Sequence, residues 1–218
     1  MINFTTDYFI TMLLSLPGIL IALTFHEMAH AFAADSMGDP TPRLAGRLTL
    51  NPLKHIDPIG FIAMLILRFG WAKPVPVNPL NFKDKKKGII LVSLAGILTN
   101  LLLAFLGMLF FTFVVAFGID NEYLSLILWY NCTYNTVFAV FNLLPIPPLD
   151  GSRVISVFLS PVARAKYNEL SRFGMPVLLI LMYVGVFGMI ITPIVSFVLS
   201  LFSNISGFLV GMLFGIIG

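Results

Sequence analysis

The sequence is poor in charge and in cysteine. Only 11% of its 218 residues are charged whereas 58% are hydrophobic, and uncharged runs long enough to cross a bilayer recur along it. This composition is typical of an integral membrane protein. The single cysteine, Cys132, excludes an intrachain disulfide and a cysteine-based zinc site. We interpret Cys132 as a small buried hydrophobic residue inside an apolar run.

Basic residues are absent from the first seven positions and are unevenly distributed afterwards. The apolar run at 8–34 is too long for the hydrophobic region of a cleavable signal peptide, so we expect it to remain in the protein. All but one of the 13 Lys and Arg residues lie in 35–57, 71–88 and 152–172, and the turn at 119–122 has none. The positive-inside rule therefore predicts that these three basic segments are cytoplasmic. The net charge of +3 indicates membrane orientation and no nucleic-acid partner.

The apolar pattern predicts an all-α polytopic membrane protein with about five to six transmembrane helices. Spans are predicted at 8–34, 88–118 and 123–144. The apolar run at 175–217, which is interrupted at 192–193 and 203–204, is predicted to form two C-terminal helices. A more polar amphipathic segment is predicted at 152–172.

Two loops near the predicted spans have less regular patterns. Between the first and second spans, RLAGRLTL at 43–50 predicts a small strand, and the prolines of 58–80 predict a short membrane-associated β or re-entrant hairpin. After the third span, Pro145, Pro147 and Pro148 should end the helix and leave Asp150 in irregular backbone. The predicted topology puts Asp150 on the same side of the membrane as the C-terminal end of the first span.

Two histidines and a glutamate occur inside the first predicted span, in the stretch ALTFHEMAHAFAADSMG at 22–38. His26 and His30 are four residues apart, so on a helix they share one face with Cβ atoms ~5–6 Å apart and can bind one tetrahedral metal ion. Glu27 is suited to act as the base for a metal-bound water. A catalytic zinc ion takes three protein ligands, so a third ligand must come from elsewhere in the chain.

The same three residues could instead form a hydrogen-bonded polar cluster that holds helices together. A charged residue near the middle of a membrane helix costs ~2.5–3.5 kcal/mol, and interhelical hydrogen bonds return only ~0.6–2 kcal/mol. Zinc binding by a well-formed site is worth on the order of 10 kcal/mol. These magnitudes favour the metal site.

Five motifs resemble, in the same order, those of the site-2 protease family of intramembrane zinc metalloproteases, peptidase family M50. The motifs are HEMAH at 26–30, LNPLKHIDPIG at 50–60, WAKPVPVNP at 71–79, SLAGILTN at 93–100 and FNLLPIPPLDG at 141–151. The resemblance extends from about residue 20 to about residue 160 and includes no PDZ or CBS domain. One departure is Gly96-Ile97, where the family commonly has Gly-Pro, and we expect a less kinked helix there.

The resemblance implies a complete catalytic site. Asp150 is implied as the third ligand, so that His26, His30 and Asp150 hold one Zn²⁺ per chain. Glu27 is implied as the general base, and Asn142 as an oxyanion or substrate contact. The whole chain, 1–218, is then a single membrane metalloprotease domain, with a catalytic core at about 8–160 and C-terminal helices at 174–218.

Other residues in or near these motifs are also expected to have roles. Asn100 is expected to hydrogen-bond across to the catalytic helices and also to face substrate, with Gly96 allowing close helix approach. Val75 and Val77 are expected to bind substrate in the extended hairpin. His55 has two interpretations. It could support the site or gate substrate, or it could be a turn histidine bonded to the nearby carboxylate of Asp57. We favour the turn histidine.

The function implied is zinc-dependent hydrolysis of peptide bonds within or next to transmembrane segments, as in regulated intramembrane proteolysis. The expected partners are a transmembrane protein or peptide substrate and the lipid bilayer. The expected location is the plasma or inner membrane, with the active site toward the cytoplasm. A metal-transporting protein is the rival class, but such transporters usually have internal repeats and polar groups on several spans, and neither is found here. An inactive scaffold is a third class, and it would be expected to have lost a ligand or the glutamate.

Overall fold

The computed structural model describes residues 6–67 and 70–215, and these ranges are almost entirely helical. The helices, in chain order, are α1 (Thr6–Ser36), α2 (Thr41–Leu44), α3 (Pro58–Leu67), α4 (Lys85–Ala116), α5 (Glu122–Leu143), α6 (Asp150–Phe158), α7 (Pro161–Tyr183) and α8 (Val186–Leu213). Two single 3₁₀ turns, Pro52–Lys54 and Pro79–Asn81, lie in the connections. The all-α class expected from the sequence is therefore confirmed for the described ranges.

The centre of the molecule is formed by α1, α4 and α5, each of which packs against the other two. Small residues let these helices approach closely. Gly18 of α1 lies against the backbone of Asn131 on α5, and a Cβ at Gly18 would come within 2.8 Å of the Asn131 Cα. Close approach of this kind is typical of helix packing in membranes, where van der Waals contact replaces the hydrophobic effect as the driving force. Helix α8 packs on the outside against α4 and α5.

Three described helices are long and apolar enough to cross a membrane. They lie at Tyr8–Ser36, Lys85–Ala116 and Gly188–Leu213, with mean hydropathies of 2.0, 2.5 and 1.9. The third predicted span, 123–144, forms α5 with nearly the predicted bounds, but α5 is not among these three candidates. Buried polar residues such as Asn135 and Thr136 make α5 less apolar. The total of five to six spans stays a prediction.

The C-terminal helices differ from the predicted pattern. The interruptions of the apolar pattern at 192–193 and 203–204 do not break the helix, because α8 runs from Val186 to Leu213 through Pro193. The break falls instead at Gly185, whose φ of +81° is readily adopted by glycine. The predicted amphipathic segment at 152–172 is divided between α6 and the first half of α7.

The predicted strand and hairpin between the first two spans are replaced by short helices and irregular backbone. At 43–50 the strand prediction is wrong: Arg43 and Leu44 are the last residues of α2, and Gly46, with φ +66°, follows the end of this helix. At 58–80 the β hairpin is not confirmed, since 58–67 form α3, whose first turn is capped by the bond from Gly60 N–H to Asp57 Oδ1 (2.8 Å). Within the described ranges, the only β pairing is one antiparallel bridge between Ile56 and Ala72.

The segment after this bridge, 73–82, is held in place by two buried charged side chains. Asp39, with no exposed surface, accepts hydrogen bonds from Asn78 N–H (2.7 Å), the Asn81 side chain (2.8 Å) and the N–H and hydroxyl of Thr41. Burial raises the pKa of the Asp39 carboxyl, but these hydrogen bonds outweigh burial and leave its pKa below the usual value. Arg47, which is 5% exposed, donates to the carbonyl oxygens of Lys73 and Pro74. As a result, 73–78 passes beside α1.

Candidate metal centre

Helix α1 carries His26 and His30 on one buried face. Their Nε2 atoms lie 2.9 Å apart, and the side chains are 6% and 9% exposed. The spacing of four residues produces this arrangement because positions i and i+4 lie one above the other on a helix.

The third member of the cluster is Asp150. Its Oδ2 lies 3.2 Å from His26 Nε2 and 3.1 Å from His30 Nε2. The expectation that Asp150 lies in irregular backbone is wrong, because it is the first residue of α6. Gly151 lets the start of α6 lie directly against the end of α5, because a Cβ at this position would come within 2.1 Å of the Leu143 carbonyl oxygen. The Asp-Gly pair therefore brings the carboxylate up to α1 as α6 begins.

The protonation of the two rings fits a bound cation. His26 Nδ1 is 2.7 Å from Asn100 Oδ1, and His30 Nδ1 is 2.7 Å from the Val92 carbonyl oxygen. Both oxygens can only accept, so each Nδ1 donates, and each neutral ring has a lone pair at Nε2. Asp150 Oδ2 is buried and accepts no hydrogen bond from the described residues. Three electron-pair donors thus converge within 4.8 Å, and two imidazoles with one carboxylate match a catalytic zinc site.

A chain of buried amides supports the His26 ring. Asn100 Nδ2 donates to the Ala22 carbonyl oxygen (2.9 Å) and to Asn135 Oδ1 (3.0 Å), which orients Asn100 Oδ1 toward His26. Asn135 Nδ2 in turn donates to the carbonyl and side-chain oxygens of Asn131. Gly96 lies against the same ring, and a Cβ there would come within 2.5 Å of His26 Cε1. Outer partners of this kind fix the tautomer and direction of a metal-binding histidine.

Glu27 lies next to the cluster and contacts the segment 73–78. Its side chain accepts a hydrogen bond from Val75 N–H at Oε2 (3.0 Å), and the residue is 8% exposed. Arg47 is close enough for its charge to interact with that of Glu27; burial lowers the pKa of Arg47, and the Glu27 charge opposes that shift. The carboxylate expected to act as a base therefore lies between the histidines and the extended segment.

Of the other predicted residues, Asn142 and Val77 make no described hydrogen bond to this centre, whereas Asn100 is bonded to His26. Asn142 donates from Nδ2 to the Phe138 carbonyl oxygen in its own helix (3.0 Å). Val77 is half-buried and packs against the cluster formed by Ala34, Phe82 and Val92. Asn100 is fully buried, and its observed hydrogen-bond partners are His26, Ala22 and Asn135. The catalytic role of Asn142 and the substrate contacts of Asn100, Val75 and Val77 stay predictions.

His55 and Cys132 are both fully buried. The expected bond between His55 and Asp57 is not formed: His55 Nε2 is 2.8 Å from the Thr49 carbonyl oxygen, and Asp57 caps α3 instead. The interpretation of Cys132 as a buried small residue is confirmed.

Sequence reasoning missed several residues that support the centre. Asn131 and Asn135 had a usable signal, because two amides at positions i and i+4 inside an apolar run share a helix face. The Val92 carbonyl gives no signal at all, since every residue has one. Arg47 was counted only as a loop charge, and its burial depends on contacts with residues 26 positions away or more.

Apolar helices around two histidines, an aspartate and a neighbouring glutamate define a membrane protein with a metalloprotease-type centre. The chain is 40% identical over 190 residues to a Bacillus subtilis protein named "Putative zinc metalloprotease YwhC", covering 83% of this chain and 81% of that relative. It is 30% identical over 183 residues to "Putative zinc metalloprotease Rip2" of Mycolicibacterium smegmatis, covering 78% of this chain and 66% of the relative. Rip2 of Mycobacterium tuberculosis is also 30% identical, over 75% of this chain and 64% of the relative.

The sequence profile described as peptidase family M50 matches residues 119–185. The chain belongs to this family, which comprises the site-2 type zinc metalloproteases. No solved structure matches the chain.

Proposed function

We propose that this zinc metalloprotease is an intramembrane endopeptidase that cleaves membrane-protein substrates within or next to their transmembrane segments. The observation that carries the proposal is the convergence of His26, His30 and Asp150 beside Glu27 on a helix able to cross a membrane. His30 lies six residues before the end of α1, about 9 Å along the helix axis. A site at this depth suits a substrate that approaches within the bilayer.

His26, His30 and Asp150 would hold one Zn²⁺ per chain. When bound in such a site, zinc lowers the pKa of a coordinated water to ~7 and polarises the scissile carbonyl. Asn100 and the Val92 carbonyl keep both Nε2 lone pairs directed at the ion. Glu27 accepts the proton of the attacking water and returns it to the leaving amine. Asn142 is proposed to contact the oxyanion, for which its amide must turn away from the Phe138 carbonyl.

The extended segment 73–78 is proposed to hold the unwound substrate by backbone hydrogen bonds. Pro74 and Pro76 have no N–H, so the donors of 74–77 are those of Val75 and Val77. The first donates to Glu27, and no hydrogen bond from the second is observed among the described residues. A substrate carbonyl that takes over the Val75 N–H would occupy this edge and free the Glu27 carboxylate.

The deciding experiment uses the full chain, purified in detergent, with a panel of single-pass membrane peptides. Wild-type protein should cleave at least one peptide and contain about one zinc per chain. Glu27→Gln keeps the size of the side chain but removes the proton acceptor, so zinc should be retained while cleavage falls ~10²- to 10⁴-fold. Asp150→Ala should lose zinc together with activity, because two imidazoles alone hold the metal weakly.

The control for nonspecific damage is Asp120→Ala, in the exposed turn between α4 and α5, which should change neither quantity. Normal cleavage by Glu27→Gln, or full zinc occupancy in Asp150→Ala, would show that the proposed site is wrong. We further propose that the chain is a single metalloprotease domain in the plasma or inner membrane, with this site toward the cytoplasm. Its proposed process is regulated intramembrane proteolysis.

A further inference from the structure

An apolar cavity of about 40 Å³ adjoins the metal centre. It is bounded by α1, α3, α5 and the segment 70–72, through side chains that include Leu23, Phe61, Met64, Trp71, Ala72 and Phe138. Leu23 lies one helical turn before His26, and the Phe138 ring centre is 6.5 Å from that of His26. The cavity is therefore separated from the predicted metal ligands by a single layer of side chains.

Two glycines in the cavity wall let α3 and the segment 70–72 come into backbone contact. A Cβ at Gly70 would come within 2.1 Å of the Gly60 carbonyl oxygen, and a Cβ at Gly60 within 2.2 Å of the Trp71 carbonyl oxygen. Helix α3 and the segment 70–72 thus meet at the level of their backbones. Neither glycine has a side chain that could fill the adjacent volume.

The size and chemistry of the cavity select its occupant. Apart from the indole N–H of Trp71, the described lining side chains are apolar, so the cavity favours an apolar occupant over water. Because one water-sized group requires roughly 10–15 Å³ by this measure, there is room for about three such groups. The side chain of alanine or valine fits within that limit, whereas those of leucine and phenylalanine exceed it.

We propose that this cavity is the subsite for a small apolar side chain of the substrate next to the scissile bond. The inference rests on the proposed function. The cavity is lined by 70–72, which lead directly into the segment that contacts Glu27, so a substrate laid along that segment passes both the base and the cavity. The preferred substrates are transmembrane segments with alanine, valine or a smaller residue at this position.

The test uses otherwise identical membrane peptides that carry Ala, Val, Leu or Phe at each position flanking the cleaved bond. At one such position, Leu and Phe should lower kcat/KM at least tenfold relative to Ala. Met64→Ala enlarges the cavity and should restore cleavage of the Leu peptide, whereas Ala72→Leu fills it and should reduce cleavage of the Val peptide. Met189→Ala, at a residue 78% exposed on α8, is the matched control and should leave the profile unchanged.

A binding measurement gives a second readout that does not require cleavage. The chain has two tryptophans, so in a Trp129→Phe, Glu27→Gln background Trp71, at the cavity wall, is the single reporter. Zinc-loaded protein of this kind should bind the Ala peptide with a change in Trp71 emission, and should bind the Phe peptide at least tenfold more weakly.

The possible failures are distinguishable. A size profile that is the same in wild type and Met64→Ala, or equal binding of the Ala and Phe peptides, overturns the subsite. If wild type cleaves none of the peptides, the proposed function fails instead, and the fluorescence comparison still decides whether the cavity selects small side chains.

Discussion

At the scale of single residues, the metal centre depends on which atoms of the histidines remain free. The imidazole of His26 could present either nitrogen to a metal ion, and the Asn100 carbonyl oxygen determines that Nδ1 carries the proton. Asn100 itself is oriented by Asn135, whose amide is bound by Asn131. Two buried amides and the partly buried Asn131 thus hold one ring at a position where an unsatisfied polar group would be costly.

This chain of amides leads to a prediction for Asn100→Ala. The substitution removes the acceptor of the His26 Nδ1–H and leaves Asn135 Oδ1 without its donor, so the ring is no longer held in one tautomer. Zinc affinity should fall ~10- to 100-fold, measured by competition with a chromophoric chelator. Asn204→Ala, on the exposed side of α8, is the control. Unchanged affinity in Asn100→Ala would show that the amide does not position the ligand.

A second residue-scale prediction concerns Arg47, whose guanidinium holds the Lys73 and Pro74 carbonyls. Arg47→Met should loosen the segment beside Glu27 and raise KM about tenfold or more, since hydrogen bonds to charged groups contribute ~1.5–3 kcal/mol. Zinc content should not change. Arg47→Lys should recover the function only in part, because a single ammonium lacks the planar fork that reaches both carbonyls.

The control for Arg47 is Arg43→Met in the same loop. The Arg43 guanidinium is mostly exposed and pairs with Asp35. Its loss should leave KM unchanged. If Arg43→Met and Arg47→Met raise KM equally, the effect belongs to loop charge and not to the two carbonyl contacts.

At the scale of elements, the loop after α1 is joined to the turn before α4. Asp39 makes this connection through Thr41, Asn78 and Asn81, and Lys83 N–H donates to the Met37 carbonyl oxygen (3.1 Å). Phe82 packs between Ala34 and Val92. The C-terminal end of the segment that lies along Glu27 is therefore anchored to α1, to the loop that follows it and to α4.

We expect Asp39→Ala to lower the free energy of unfolding by ~1–3 kcal/mol, because it leaves buried donors unsatisfied. The contribution of Asp39 also depends on pH. Since its folded pKa lies below the usual value of 3.8, its stabilisation is present above about pH 4 and is lost as the pH falls through the folded pKa. Denaturation curves of the detergent-solubilised protein between pH 3 and 7 should show a difference between wild type and Asp39→Ala that shrinks toward acid. A constant difference would contradict this role.

At the scale of the whole molecule, charge is separated between the two ends of α4. The basic residues Lys85, Lys86 and Lys87 begin α4. Past its other end, the acidic residue Asp120 lies in the turn and Glu122 begins α5. Helix α4 has 32 residues, so these ends are about 48 Å apart. The positive-inside rule predicts that the lysine end of α4 faces the cytoplasm.

Thiol labelling tests this orientation in a Cys132→Ser background. Cysteine at Lys86 should react with a membrane-impermeant reagent only after the membrane is opened, and cysteine at Asn121 should react in intact cells. Both positions are exposed, so access depends on the side of the membrane and not on burial. The opposite labelling pattern would place the metal centre near the outer face.

The sequence by itself determined the features that depend on local spacing and composition. Apolar runs predicted α1 and α4 to within a few residues, since hydrophobic length is a property of the chain alone. The separation of His26 from His30 predicted a shared helix face for the same reason. The resemblance supplied Asp150, which no local pattern links to α1.

Only the tertiary structure decided how distant groups meet. The strand predicted at 43–50 failed because Gly46 takes a left-handed conformation and the Arg47 side chain binds carbonyls more than 25 residues away. His55 was expected to bind its neighbour Asp57, but burial brings its ring to the Thr49 carbonyl. The Val92 carbonyl, the Asn135 amide and the apolar cavity beside His26 likewise depend on packing between α1, α3, α4 and α5. Such contacts are set by competition among all the groups of the folded chain for buried partners, and local sequence does not encode that competition.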